Sequence, residues 1–204
     1  TAESLRAEGS EAIALTAELS DPIAVADLVR DSLKHFGRID ALVNCAAIWE
    51  RKPLEKIEAN DVRRHFEVNT LGTFLVSQQV GLQMVAQETG GCIIQFGDWA
   101  SHRPYLDYAA YFPSKGAVEA MTRNFAVELA ARNPRVRVNA VLPGPVMLPI
   151  DLPEEERAAA IAGTLVRREG SPQHVADAVR FLLENDFVTG VCLPVDGGRT
   201  IHSS

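Results

Sequence analysis

Cysteine is scarce in this 204-residue chain, and its three examples, Cys45, Cys92 and Cys192, are far apart. Each sits in an apolar, strand-like run, which fits small buried residues and excludes a disulfide framework or a zinc-ligand pattern. The five histidines, at 35, 65, 102, 174 and 202, have no metal-ligand spacing either. Positive charge is in deficit, with 20 Lys and Arg against 27 Asp and Glu and a net charge of -7. That balance argues against a nucleic-acid surface. No apolar run is long enough to span a bilayer, and the opening TAESLRAEGS is polar, with no signal-peptide pattern. Repeats, low-complexity tracts and linkers are missing too. What is left, 47% hydrophobic and 23% charged, predicts one domain over residues 1–204 with a sizeable core, in a reducing cytoplasm.

The patterning alternates strands with helices. Residues 1–7 end a helix that Gly9 stops, and residues 12–19 read as a strand. Ser20 or Asp21 caps the next helix, with Pro22 near its first position, Val25, Leu28, Val29 and Leu33 on one face, and Gly37 as its stop. Strands are expected at 41–45, 92–96, 136–142 and 191–195. Helices are expected from 61 to about 87, over 108–132, and over 153–162 and 172–183. This order predicts an α/β fold, a Rossmann-like, doubly wound parallel sheet.

Tyr111 and Lys115 stand out at the head of the helix after strand 92–96. Residues i and i+4 share a helix face, so the phenol and the ammonium point the same way just beyond a strand end, where open α/β sheets bind ligands. A fixed positive charge favours phenolate and lowers a tyrosine pKa from its usual value of about 10. Such a group passes a proton to or from a substrate oxygen near neutral pH. Pro113 fits only a first helical turn, so regular helix is expected to begin near Ala109 or Ala110, with Tyr111 at its positive end.

YFPSK at 111–115, VNTLGTF at 68–74, VNAVLPGPV at 138–146 and FVTGVCLPVDGG at 187–198 together resemble the short-chain dehydrogenase/reductase family, in order and spacing, over essentially the whole chain. The resemblance implies a nicotinamide cofactor. Glu18, beside Leu19 at a strand end, would contact the adenine ring, where the family more often has Asp; a solvated loop carboxylate is the other reading. Asn44-Cys45-Ala46-Ala47 resembles the family's Asn-Asn-Ala-Gly. Asn44 would tie neighbouring strands, and the backbone at Ala46 and Ala47 would lie on the adenosine ribose. Pro143, Gly144 and Val146 would lie on the nicotinamide, with a backbone N–H near Val146 on its carboxamide. Lys115 would hold the nicotinamide ribose, and Asn69 would hold a water that relays protons to it, unless it only makes a helix–helix hydrogen bond.

On the substrate side, Trp49 at the cleft rim would stack on a flat substrate or cap the core. Met147 stands where threonine is common, and residues 147–165 would form the substrate lid. Asp98 is the informative departure. It lies thirteen residues before Tyr111, where the family usually has serine, and Ser101 has the wrong spacing to replace it. A carboxylate repels a developing oxyanion but suits a nitrogen heterocycle. This residue and the C-terminal FVTGVCLPVDGGRTI resemble the pteridine reductase branch, dihydromonapterin reductase included, which implies NADPH in preference to NADH. A damaged site or an unrelated substrate class would also produce Asp98.

No GxGxxG or GxxxGxG run occurs, so the family's opening strand, glycine-rich turn and helix have no counterpart here, and the sequence in hand is expected to be the ordered or retained part of a longer protein. The expected activity is hydride transfer from a nicotinamide to a C=N or C=O carbon of a small molecule, with Tyr111, Lys115, Asn69 and Asp98 catalytic and no metal. The region of Asp196-Gly197-Gly198 would pack across a two-fold axis in a homodimer or homotetramer. The rivals are a 3-oxoacyl thioester or other carbonyl reductase, a sugar or polyol dehydrogenase, and a non-catalytic binding or scaffold chain.

Overall fold

Four of the apolar runs become parallel strands in the computed structural model, which describes residues 1–202. They are β1 (Ala41–Asn44), β2 (Gly91–Phe96), β3 (Val136–Pro143) and β4 (Cys192–Val195), hydrogen-bonded in that order. The register pairs Asn44 with Gln95, Phe96 with Val141 and Pro143 with Val195. The carboxyl ends of all four strands therefore share one edge of the sheet. β2 and β3 are covered on both faces, and two polar members among their apolar residues, Gln95 and Asn139, are buried and hydrogen-bonded.

The helices are α1 (Ala2–Ala7), α2 (Pro22–Phe36), α3 (Ala59–His65), α4 (Thr73–Ala86), α5 (Phe112–Ala130), α6 (Glu154–Ala162) and α7 (Pro172–Glu184). Ile93, Val136 and Val138 face α2, α4 and α5, packing with Val25, Val29, Val76, Met84 and Phe125. On the other face, Ile94 and Val141 meet Leu182 of α7. The doubly wound architecture read from the sequence is thus present, in a single domain.

Asp21, not Ser20, caps α2: its carboxylate accepts from Ile23 N at 2.8 Å, and Gly37 ends the helix at φ +77°. Asp21→Ala should lower stability by about 0.5–2 kcal/mol, read as a lower urea midpoint with an unchanged slope.

Four expectations are corrected. Residues 12–19 form no strand, because a strand exists only by hydrogen-bonding a neighbour and none among the described residues lies beside them. The helix expected from 61 to 87 is three pieces, α3, a π-helical stretch Phe66–Gly72 and α4. α5 starts at Phe112, later than Ala109 or Ala110, with Tyr111 as its N-cap and Pro113 in its first turn. Asp107 takes φ +72°, a turn conformation that stops the helix from extending backwards. Finally, Cys45 is exposed and Cys192 half-buried; only Cys92 is a buried small residue.

Candidate active site

The site sits where β1, β2 and β3 end. β2 delivers Asp98 two residues past its last member. There the carboxylate caps a short 3-10 turn over Trp99–Ser101, accepting from Ala100 N at 2.8 Å. Its second oxygen accepts from the Tyr111 hydroxyl at 2.9 Å. The thirteen-residue spacing thus becomes a direct contact. Lys115, one turn along α5, donates to the Phe96 carbonyl at 2.8 Å. Tyr111 and Lys115 are each 5% exposed, so both polar groups sit in a weakly screening environment.

This environment overturns one expectation. Tyr111 is not held below the ordinary tyrosine range. Burial pushes its pKa up strongly, and the neighbouring Asp98 charge and hydrogen bond push it further. The Asp98 carboxyl is raised as well, by burial, against the lowering pull of Ala100 N, Tyr111 and Lys115. Lys115 is lowered by burial, with Asp98 and Cys45 acting the other way. The phenol is therefore a firmly protonated donor whose acceptor is Asp98.

Asn69 lies in the π-helical stretch, a distortion often found at functional sites. Its amide grips both backbone groups of Ile48, accepting from Ile48 N at 2.8 Å and donating to Ile48 O at 3.0 Å. It also donates to Ser114 Oγ at 3.0 Å, and Ser114 Oγ donates to the Tyr111 carbonyl at 2.6 Å. The loop after β1 is thereby fastened to the first turn of α5. Removing one partner of a buried hydrogen bond costs about 1–3 kcal/mol, so Asn69→Ala should lower unfolding free energy by about that much in a denaturant titration.

The residues expected to meet the cofactor line the same edge. Asn44 is buried at the end of β1 and its Nδ2 has no partner among the described residues. Its backbone pairs with Gln95 of β2, but its amide nitrogen makes no bond to a neighbouring strand among the described residues, contrary to expectation. Ala46 and Ala47 are exposed. Pro143 closes β3, Gly144 N donates to Val195 O at 3.0 Å, and Val146 forms a parallel bridge with Gly170. A Cβ on Gly144 would lie 2.5 Å from the Asp196 Cα. That approach explains why glycine is needed there. Glu18 is exposed and turned onto its own loop, accepting from Ser20 N at 3.1 Å and Ser20 Oγ at 2.9 Å. Leu19 packs against the core instead, beside Gly72.

Trp49 is half-exposed and lies parallel to the Tyr108 ring, centroids 5.0 Å apart. Met147 is exposed at φ +52°. The segment 147–165 contains α6 and is tied down by Arg157, which bonds Glu169 at 2.9 Å and Pro149 O at 2.8 Å.

Several residues at the site escaped the sequence reading. Trp99, Tyr105, Tyr108 and Phe112 form an aromatic wall with Tyr111. The spacing of Tyr105, Tyr108 and Tyr111, three apart each time, was the available signal. His65 is buried edge-on to Tyr111, centroids 6.0 Å apart. Its Nδ1 lies 2.8 Å from Asp61 O, and its Nε2 has no partner among the described residues. The π distortion that puts Asn69 here leaves no mark in a hydrophobic pattern. No group of three or more candidate metal ligands occurs among the described residues.

Comparison with known proteins shows the family. Residues 1–200 match the family described as enoyl-(acyl carrier protein) reductase, of the short-chain alcohol dehydrogenase type. Carbonyl reductase family member 4 of Xenopus tropicalis is 32% identical over 98% of this chain and 84% of its own. The 3-oxoacyl-(acyl-carrier-protein) reductase of Thermotoga maritima is 34% identical over 90% of this chain and 75% of its own. The crystal structure of NAD+-bound xylitol dehydrogenase superposes with a TM-score of 0.90 at 30% identity, covering 97% of this chain and 83% of the other. With its sheet, its strand-end cleft and its Asp98, Tyr111 and Lys115 in one cluster, the chain belongs to the short-chain dehydrogenase/reductase family of NAD(P)-dependent oxidoreductases.

Proposed function

We propose that this chain is an NADPH-dependent reductase that transfers hydride to a C=N or C=O carbon, with a flat nitrogen heterocycle of the pteridine class as its substrate. The observation that carries the reading is the 2.9 Å hydrogen bond from the Tyr111 hydroxyl to Asp98. A carboxylate at that point accepts from a substrate N–H or stabilises a protonated imine nitrogen. It would oppose an oxyanion. Tyr111 supplies the proton, directly or through water, and Asp98 orients the ring. Trp49 and Met147 border the substrate, and residues 147–165 act as its lid.

A nicotinamide cofactor suits the strand-end edge: the unpartnered Asn44 Nδ2 is a buried donor awaiting an acceptor. Lys115, with one bond to Phe96 O, keeps two N–H groups for ribose hydroxyls. Asn44, Ala46, Ala47, Pro143, Gly144 and Val146 would hold the cofactor from nicotinamide to ribose, with Glu18 and Leu19 at its adenine end and Asn69 supporting a proton relay. Bound there, it supplies the hydride. The preference for NADPH rests on likeness to pteridine reductases alone. Exposed Leu71, Phe74, Leu82 and Val127 about α4 and α5 support assembly into a homodimer or homotetramer, and three unpaired thiols suit a reducing cytoplasm.

The second reading, a carbonyl or 3-oxoacyl thioester reductase, is favoured by the activities of the relatives. One experiment separates the two. NADPH and NADH are titrated by nicotinamide fluorescence, then turnover of a dihydropteridine and a 3-oxoacyl thioester is compared in wild type and Asp98→Ser. The pteridine reading expects NADPH to bind and Asp98→Ser to lose pteridine turnover selectively. Unchanged pteridine turnover in the variant removes that substrate class, and a failure to bind either nucleotide brings the scaffold alternative forward.

A further inference from the structure

Among the described residues, two guanidinium groups near the aromatic wall have no acidic partner. Arg199 lies in the turn after β4, its Cζ 4.7 Å from the centre of the Trp99 ring, and it donates to Ala160 O on α6. Arg103, in the loop between β2 and α5, donates through Nη1 to the Arg199 carbonyl at 3.2 Å. Among the described residues neither forms an ion pair, and each uses one of its side-chain nitrogens, although a guanidinium carries five N–H donors. Asp196, the acid of the same turn, is turned to the backbone instead. It accepts from Gly198 N at 2.9 Å and from Thr200 N and Oγ1 at 2.6 Å each, which fixes the turn that presents Arg199.

Two half-buried like charges, the Arg103 guanidinium on the Arg199 backbone carbonyl and the Arg199 guanidinium over Trp99, are unfavourable until an anion joins them. Burial and the Arg103 charge both loosen the Arg199 proton, as such a pairing requires. The position is equally specific. Trp99 follows Asp98 in the chain, and its ring stacks on Tyr105, centroids 6.1 Å apart, within the aromatic wall that holds Tyr111. We infer that Trp99, Arg103 and Arg199 form an anion subsite, which takes a carboxylate or phosphate group carried by the substrate whose reducible end meets Asp98 and Tyr111. A guanidinium fork binds a planar oxyanion by two parallel hydrogen bonds. What the anion belongs to rests on the reductase reading; its binding does not.

The test needs no turnover. The chain has two tryptophans, Trp49 and Trp99, so Trp49→Phe makes Trp99 the sole emitter. Its fluorescence is titrated with inorganic phosphate and, separately, with acetate, at constant ionic strength set by chloride. A saturable change is expected with at least one of them. Arg199→Gln and Arg103→Gln should each weaken it by about tenfold or more, and Arg132→Gln, in the exposed turn just past α5, should not. Response to phosphate alone assigns a phosphate-bearing substrate, and response to acetate alone a carboxylate. Folded variants, checked by circular dichroism, that respond like the parent overturn the subsite, as does a flat titration with both anions. Nicotinamide binding is measured separately, so loss of the reductase reading would leave this result standing.

Discussion

Changing Tyr111 to phenylalanine is expected to lower kcat/KM for the reduction by about 10²- to 10⁴-fold, the contribution of a positioned general acid, while leaving nicotinamide binding almost unchanged. The ring itself is structural. It packs among Trp99, Ala100, Tyr108 and Phe112 and meets the edge of His65, and phenylalanine keeps those contacts. The variant loses the hydroxyl that donates to Asp98. Because the Tyr111 pKa is raised by burial and by Asp98, the wild-type phenol keeps its proton through the neutral range. Its deprotonation should therefore not limit the rate until well above the ordinary tyrosine value of about 10. Steady-state kinetics against pH and a nicotinamide-fluorescence titration check both statements. A phenylalanine variant within tenfold of wild type would remove Tyr111 from the chemistry and point to Asp98 as the sole proton donor.

Sequence alone carried the architecture far and the site only part of the way. β2, β3 and the helix on which Lys115 stands were legible because apolar runs and caps are local signals. Asp21 and Gly37 mark the ends of α2 through side-chain and backbone chemistry that any reader of the sequence sees. The strand expected at 12–19 failed for the opposite reason: a strand is a relation between two segments, and apolar residues name only one of them. The π-helical stretch around Asn69 was hidden because 66–72 keeps a helical pattern while its hydrogen bonds shift. The spacing of Asp98 and Tyr111 was visible, yet the consequence for the phenol was read with the wrong sign. Helical spacing placed Lys115 beside the hydroxyl, whereas in three dimensions the lysine bonds to Phe96 O and Asp98 is the phenol's partner. Arg199 was out of reach altogether, since nothing near it in sequence connects it to Trp99.

Asp98→Asn should separate the two demands on this residue, raising stability at neutral pH while lowering C=N reduction by about 10²-fold or more. The amide keeps the shape of the side chain: its one oxygen still accepts from Ala100 N, and its NH2, in place of the second carboxylate oxygen, donates to the Tyr111 oxygen instead of accepting from it. It lacks the charge. Burial raises the Asp98 carboxyl above the usual range, outweighing Ala100 N, Tyr111 and Lys115, which pull it down. The sign follows from linkage. A carboxyl raised on folding favours the fold below its unfolded value of about 3.9. That stabilisation is lost as pH climbs toward the higher folded value, and above it the ionised group weighs constantly against the native state. Asparagine removes this burden, so its thermal midpoint should exceed that of wild type near pH 7, with the gap closing as pH falls toward the ordinary carboxylate range. Activity moves the other way, because a neutral amide neither stabilises a protonated nitrogen nor exchanges a proton with it. An active site that holds a charge in a poorly solvated place trades stability for chemistry in this manner. Melting curves and kcat/KM measured on the same preparations across pH test the pair together. An asparagine variant less stable than wild type at neutral pH would mean that the attraction between Asp98 and Lys115 exceeds the cost of burial, and Asp98 would then be a structural ion-pair partner first.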